Sequence, residues 1–434
     1  MLAPSPLGPC PCGELGGPFP MMAFTTSRDA RGQGRPPVRD RSRVTPQRPA
    51  ADAMLVLQRR AGNRAVRRLL RKETGFGLGA RTVIAGFTGQ MADYWRANPS
   101  KTLKEYVEHV MAALNDRLAA HDVPRVGLPG TKPLQRAGGF APGSWQVLLD
   151  PAGTAKAPLE TKIGSVPADR MAEVTAICMH EARHAEQLFL VARMVAAEGA
   201  VKDAKTLATS LDIPVAIAQA AIDSKAPMPD KAGMAQVRTW RAFEPGGKHR
   251  DYWDWNEDFR KFVSNASRSL PEPSPRGVDR IIEATEKLFP TITSWRNTSL
   301  PFVDKKLAAL AKQKSMDTAD KVAHRDMTRI RDAGRKLGKA QDDLARMIAA
   351  HKARKADTKR PMTRDYAIKT QQAMASRYTD LEIAILTLWD ITGKAYEAYP
   401  HEADSYVIQA EVQKLFLAKP AKVAPARKPA PARP

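Results

Sequence analysis

A mainly α-helical α+β fold with extended, basic ends is predicted for this 434-residue chain from three observations. Aromatic residues make up only 6% while Ala is abundant, a composition that favours helices over a sandwich or barrel. Apolar residues recur at helical spacing through most of residues 75–417, and one short run near 144–150 reads as strand. Residues 1–50 hold ten prolines and no apolar period, so that stretch cannot bury enough surface to offset its ordering entropy.

The elements follow in chain order. Residues 1–53 are read as a disordered Pro/Arg-rich arm. Residues 54–72, Met-Leu-Val-Leu-Gln-Arg-Arg-Ala-Gly-Asn-Arg-Ala-Val-Arg-Arg-Leu-Leu-Arg-Lys, place an apolar stripe against an arginine face at helical pitch. Two readings stay open for it: an amphipathic helix packed on the body, or a docking peptide for a partner or anionic surface. The body begins near residue 75 and continues to 417. Pro99 ends a first short helix, and Leu103, Tyr106, Val110 and Leu114 form one face of a second over 101–121. Residues 124–142 read as loop. Ser144 to Asp150, bounded by Pro142-Gly143 and Pro151, is the strand. A long helix is expected over 168–198, followed by helices over 203–223, 230–243, 276–289, 303–355 and 364–397. The run 303–355, heavy in Lys, Arg and Asp, reads as a solvent-exposed helical hairpin. From 418 the chain becomes an Ala/Pro/Lys tail expected to be extended.

Charge and cysteine usage bound the function. Net charge is +23, but residues 1–72 carry 14 Lys and Arg against 4 Asp and Glu, and residues 418–434 carry 5 against none. The body keeps a surplus of only eight over its 345 residues. That argues against specific nucleic-acid binding, which needs clustered cations on one face. No run approaches 18 apolar residues and no secretory leader pattern opens the chain, so neither a membrane span nor standard secretion is expected. Three cysteines cannot make a disulfide framework, which fits synthesis in the reducing cytoplasm. Cys10 and Cys12 lie in the arm without further cysteine partners, and Cys178 reads as a small buried hydrophobe. Walker-type phosphate loops, Gly-x-Ser-x-Gly elbows and dinucleotide fingerprints are absent from the sequence.

The segment that carries chemistry is His180-Glu181-Ala182-Arg183-His184, set within the 168–198 helix. Histidines four apart project from one helix face about a turn apart, so both imidazoles reach a single Zn²⁺. Glu181 stands beside them, placed to take a proton from a metal-activated water and return it to a leaving amine. A third protein ligand is then required. The extension His-Glu-x-x-His-x-x-Gly-x-x-His fails, because Gln187 and Leu190 occupy the Gly and third His positions. Glu198 would lie about 21 Å along a continuous helix from His184. Glu186 sits about 200° around the helix and points away. The later segment Tyr396-Glu-Ala-Tyr-Pro-His-Glu-Ala-Asp-Ser-Tyr406 offers a better donor: Pro400 suits a helix start, and Glu402, Ser405 and Gln409 share one face of the helix that follows. His401 and Asp404 are the alternates, and His249 a more distant one.

Two resemblances attach to these residues. LQRRAGNRAVRRLL resembles the short Leu-Gln-Arg-x-x-Gly-Asn-x-Ala-Val motif near the start of bacterial proteins associated with extracellular contractile injection systems, which often precedes an HExxH metallopeptidase domain. It covers about 15 residues of the chain. The body resembles gluzincin-like zinc peptidases, in which His-Glu-Ala-Arg-His-Ala-Glu-Gln is answered later by Pro-x-Glu-x-x-Ala/Ser-Tyr. What the resemblance implies is a zincin-like core with a small sheet and an HExxH helix. It also implies one zinc held by His180, His184 and Glu402, and Glu181 as general base and acid. The family's oxyanion donor maps to Tyr406 or Tyr399, with Arg183 a third candidate, and Asp404 or Gln187 would orient a ligand. The strand carrying Trp145, Val147 and Leu149 would pair with an extended peptide or protein substrate. The 217 residues between His184 and Glu402 exceed what compact members need, implying a helical insertion over about 200–360. Residues 54–72 would dock the chain on an injection particle that delivers it outside the cell, as an active peptidase or as a non-catalytic cargo whose zinc site is structural or vestigial.

Overall fold

The computed structural model describes residues 75–128, 138–199, 201, 203–271, 274–275, 277–360 and 362–418. The arm, the 54–72 segment and the tail beyond 418 lie outside these. The described residues form twelve α-helices and one two-stranded sheet. In order they are α1 (Arg81–Ala97), α2 (Leu103–Ala119), β1 (Gly138–Ala141), β2 (Gln146–Leu149), α3 (Pro151–Ala155), α4 (Ala168–Ala197), α5 (Ala204–Leu211), α6 (Val215–Asp223) and α7 (Lys231–Arg241). These are followed by α8 (Arg250–Arg268), α9 (Val278–Ala311), α10 (Thr318–Ala356), α11 (Arg364–Glu397) and α12 (Pro400–Leu417).

α4 is the axis of the first core. It is buried on every side, as expected of a helix apolar around most of its circumference. Around it pack α1, α2, the sheet, α3 and α5–α7. α12 returns from far along the chain and lays Ile408, Val412 and Phe416 into this same core. Each such side chain, once fully buried, contributes roughly 1.5–3 kcal/mol, and together they pin α12 against α4.

The second core is a helical bundle in which α8, α9, α10 and α11 bury Phe259, Val263, Ile292, Trp295, Leu337, Leu344, Tyr378 and Leu381. A third, aromatic cluster bridges the two, with Phe243, Tyr252, Trp253, Val303, Leu307, Met327 and Tyr399. The bundle and bridge therefore draw on residues 242–399. Helices α5–α7, expected within the insertion, instead pack on α4.

Several elements depart from expectation. The 203–223 run divides at Asp212, which takes a left-handed φ of 53°, and Pro214 precedes α6. α8 falls on the Tyr-Trp-Asp-Trp segment, for which no helix was expected. α9 continues through Pro290 and Pro301, although a proline removes a backbone donor at each point. The hairpin expected over 303–355 breaks near 312–317, where Asp317 and Asp320 make the reciprocal capping box that starts α10. β1 lies in what reads as loop, and pairs antiparallel with β2 through Gly138↔Leu149 to Ala141↔Gln146. No helix among the described residues is long and apolar enough to cross a membrane.

Candidate metal centre

The two histidines of α4 and the first turn of α12 meet where the bundle joins the first core. His180, His184 and Glu402 each offer one ligand atom, all within 4.8 Å of one another. His180 Nε2 and His184 Nε2 are 3.1 Å apart, and Glu402 Oε2 lies 3.5 Å from the first and 3.6 Å from the second. Ligands about 2.05 Å from a tetrahedral zinc stand about 3.3 Å apart, so the triangle has the size such an ion requires. Among the described residues no fourth His, Cys, Asp or Glu joins the group.

The donors are also aimed. Gln187, one turn beyond His184, commits its amide nitrogen to the His401 carbonyl at 3.0 Å and Asp404 Oδ2 at 2.9 Å. Its oxygen is thereby left facing His184 Nδ1, 2.9 Å away. Nδ1 must donate that bond, so Nε2 is the nitrogen turned toward Glu402 and His180, and its lone pair becomes available to a metal once its proton is displaced. Glu402 is fixed by its other oxygen, which accepts from the Tyr396 hydroxyl at 2.7 Å. Burial opposes charge on both partners, yet each favours the charge of the other. The His184 imidazole is raised to about 9 by the Glu402 carboxylate, and Glu402 is held well below the usual carboxylate range by His184 and His180. Glu402 is therefore an ionised carboxylate at neutral pH.

Glu181, 7% exposed, faces the sheet. A Cβ built on Gly138 would lie 3.0 Å from Glu181 Oε1 and 2.7 Å from Ile177 Cγ2, so β1 rests directly on this part of α4 because Gly138 has no side chain. The strand nearest the site is thus β1, not the Trp145–Leu149 segment expected from sequence. Trp145 is a left-handed turn residue with φ 53°, buried with its indole N–H on the Pro124 carbonyl. The far side of β2 is met by Gly127. Among the described residues β1 pairs with β2 alone, leaving its other edge free of strand partners.

The remaining candidates separate cleanly. Tyr406 sets its ring edgewise against His180, centroids 4.8 Å apart, and is 38% exposed. Burial and the charges of Glu402, Glu397 and Glu181 push its phenol above the ordinary value, so it remains a neutral donor. Tyr399 is instead buried in the bridging cluster against Trp253 and Phe243. His401 lies on the far side of His184, its ring against Trp253, and falls outside the three-ligand group. His249 pairs with Asp320 at 2.9 Å.

Arg183 corrects a sequence expectation. Instead of being free to act as an oxyanion donor, it is 1% exposed and committed to other partners. Its guanidinium donates to Asp404 at 2.7 Å, Glu186 at 2.5 Å and the Phe76 carbonyl at 3.0 Å, and lies over the Phe76 and Trp240 rings. Glu186 in turn accepts the Leu78 N–H. Gly77 holds a φ of +57°, and a Cβ there would fall 1.6 Å from Glu186 Oε1, so the turn into the body closes only on glycine. Asp404 joins Arg183, Gln187 and Gln236, tying α4, α7 and α12 together behind the ligands. Tyr396 and Glu186 are the partners that sequence reasoning missed. Cys178 is buried, as expected.

Comparison with known protein families, curated proteins and solved structures finds no match in any of the three.

Proposed function

We propose that the chain is a zinc-dependent metallopeptidase of the gluzincin kind, with a zincin-like core interrupted by the α8–α11 bundle. The observation that carries the reading is the convergence of His180, His184 and ionised Glu402 on one tetrahedral-sized triangle, with Glu181 alongside. Zinc held there would supply a Lewis acid and bring the pKa of a water to roughly 7.

The protein's own residues supply the rest. An extended peptide adds to the free edge of β1, which lies across α4 and so runs the scissile bond past Glu181. Glu181 accepts the proton of the attacking water and passes it to the departing amine. Tyr406, neutral and exposed at the mouth, donates to the oxyanion as the carbonyl becomes tetrahedral. Gln187 and Tyr396 keep His184 and Glu402 in place while charge shifts.

The test has two parts. Protein purified without added metal should hold about one zinc per chain, and Glu402→Ala and His184→Ala should lose most of it. Glu181→Gln should keep its zinc while peptide hydrolysis falls by about 10²–10⁴-fold. A wild type that takes up no zinc when offered it would end this reading. Docking of residues 54–72 on a contractile injection particle is a separate proposal, resting on the sequence motif alone. Its test is whether deleting 54–72 removes the chain from assembled particles.

A further inference from the structure

The turn that opens the body, Phe76 to Gly79, is held by the helix that carries the two histidines. Arg183, next to His184 in sequence, donates to the Phe76 carbonyl at 3.0 Å, and its guanidinium carbon lies 5.0 Å from the Phe76 ring centroid. Glu186 accepts the Leu78 N–H on both carboxylate oxygens, at 3.1 and 3.0 Å. The Phe76 ring also rests on α7: the Trp240 ring is 5.7 Å away, and a Cβ built on Gly233 would come within 3.0 Å of it. A Cβ on Gly79 would likewise stand 3.0 Å from Arg183 Nη2. Backbone, ring and glycine are thus all fitted to one guanidinium and one carboxylate of α4.

From this turn a relay of side chains reaches a metal ligand. Arg183 Nε donates to Asp404 Oδ2 at 2.7 Å. The same oxygen accepts from Gln187 Nε2 at 2.9 Å, and Gln187 Oε1 accepts from His184 Nδ1 at 2.9 Å. A guanidinium that loses the Phe76 carbonyl and ring turns toward the carboxylates that remain, so Asp404 shifts and the Gln187 amide with it. Metal affinity depends on such outer partners. In sequence only Glu73 and Thr74 separate residues 54–72 from Gly75, so the turn is also where the docking candidate joins the body.

We propose that Phe76 is a positioning residue of the metal centre, and that the turn it seats couples the N-terminal end of the body to zinc. A seated turn tightens zinc, and bound zinc in return holds the turn closed, because coupling between two equilibria is reciprocal. A partner that binds residues 54–72 and unseats the turn then lowers zinc affinity. The inference rests on the zinc site proposed above and needs no peptidase activity.

The experiment uses the full chain. Zinc affinity is measured by competition with a chelating dye, and amide exchange of the 75–80 peptide by mass spectrometry with and without zinc. Phe76→Ala should weaken zinc binding about 3- to 30-fold, as should Gly77→Ala, whose new methyl displaces the turn from Glu186. Phe76→Tyr keeps the ring face and should bind zinc as the wild type does. Leu344→Ala, which opens a cavity in the bundle core, controls for general loss of stability and should leave zinc affinity unchanged. On a Gln187→Ala background the relay is already cut, so adding Phe76→Ala should cost zinc nothing more. Zinc should slow exchange of the Leu78 amide, which is bonded to Glu186 only while the turn is seated. That measurement needs no variant, so it decides even if Phe76→Ala fails to fold: exchange unchanged by zinc overturns the coupling. Equal zinc affinity in the wild type, Phe76→Ala and Gly77→Ala overturns it too, while the site itself stands. So does a loss that persists in full on the Gln187→Ala background or that Leu344→Ala reproduces, since the turn then acts on stability and not on His184. A wild type that takes up no zinc ends the site and this inference together.

Discussion

Replacing Arg183 with Met tests how the metal centre is braced. The substitution keeps length and apolar volume but removes the guanidinium from between two carboxylates, Asp404 at 2.7 Å and Glu186 at 2.5 Å. The site is 1% exposed, so water cannot take the place of the lost donors. Glu186 keeps only the Leu78 N–H, and Asp404 keeps Gln187 and Gln236. Removing one member of a buried ion pair costs about 3–5 kcal/mol, most of it from the charge left behind. At about 2 °C per kcal/mol for a body of this size, the unfolding midpoint should drop by roughly 6–10 °C. Differential scanning calorimetry of the full chain provides the number. Adding Glu186→Gln should recover part of the loss, because it removes one of the stranded charges; a double-mutant cycle isolates that coupling. A drop of less than about 2 °C for Arg183→Met, with no recovery in the double variant, would refute the claim that this network carries stability.

Other expectations are simpler to state. Gln187→Ala frees the tautomer of His184, and zinc affinity should weaken by about 10- to 100-fold, measured by competition with a chelating dye. In Gly138→Ala the new methyl meets Ile177 and Glu181 Oε1; on the proposed peptidase reading, peptide hydrolysis should fall at least tenfold while zinc content is retained, and unchanged turnover would show that β1 does not constrain Glu181. Burial pushes the thiol of Cys178 up to about 12, so the native protein should leave it unlabelled by maleimide, with labelling only on unfolding, as read from its tryptic peptide. His249 is held below its ordinary value, burial outweighing the Asp320 bond. Its unfolded form therefore takes up the proton more readily, so its contribution to stability is full above about pH 6.5 and is lost as the pH falls from there through the lower folded value. Urea midpoints from pH 7 to 5 should decline more steeply in the wild type than in His249→Gln.

The helical class and most helix spans were legible because long amphipathic or apolar runs declare themselves locally. The His180–His184 spacing was legible for the same reason: it needs only the pitch of α4. Glu402 could be singled out from Pro400 and the face shared with Ser405, and the structure does bring it to the histidines. What stayed hidden depends on contacts far apart in sequence. Arg183 looks like a surface residue until Asp404, 221 positions later, and the Phe76 carbonyl, 107 earlier, close around it. Gly138-Gly-Phe-Ala has little intrinsic strand preference and becomes β1 by pairing with β2. α8 was hidden by its charges, although Tyr252, Asn256, Phe259 and Val263 carry a helical period that a closer count reveals. The hydroxyl of Tyr396 is set on Glu402 by the turn between α11 and α12, for which no local pattern exists.

The division of the candidate metal centre between α4 and α12 also orders events during synthesis. The histidines and Glu181 are made first, and 217 residues separate His184 from Glu402. At about 5–20 residues per second, translation of that interval takes roughly 11–43 s. Throughout it α4 has no Glu402 to complete the candidate ligand set and no Asp404 to hold Arg183 and Gln187. A growing chain that has folded its first helices therefore carries an incomplete centre, and the ribosome finishes an entire helical bundle before the three candidate ligands can meet.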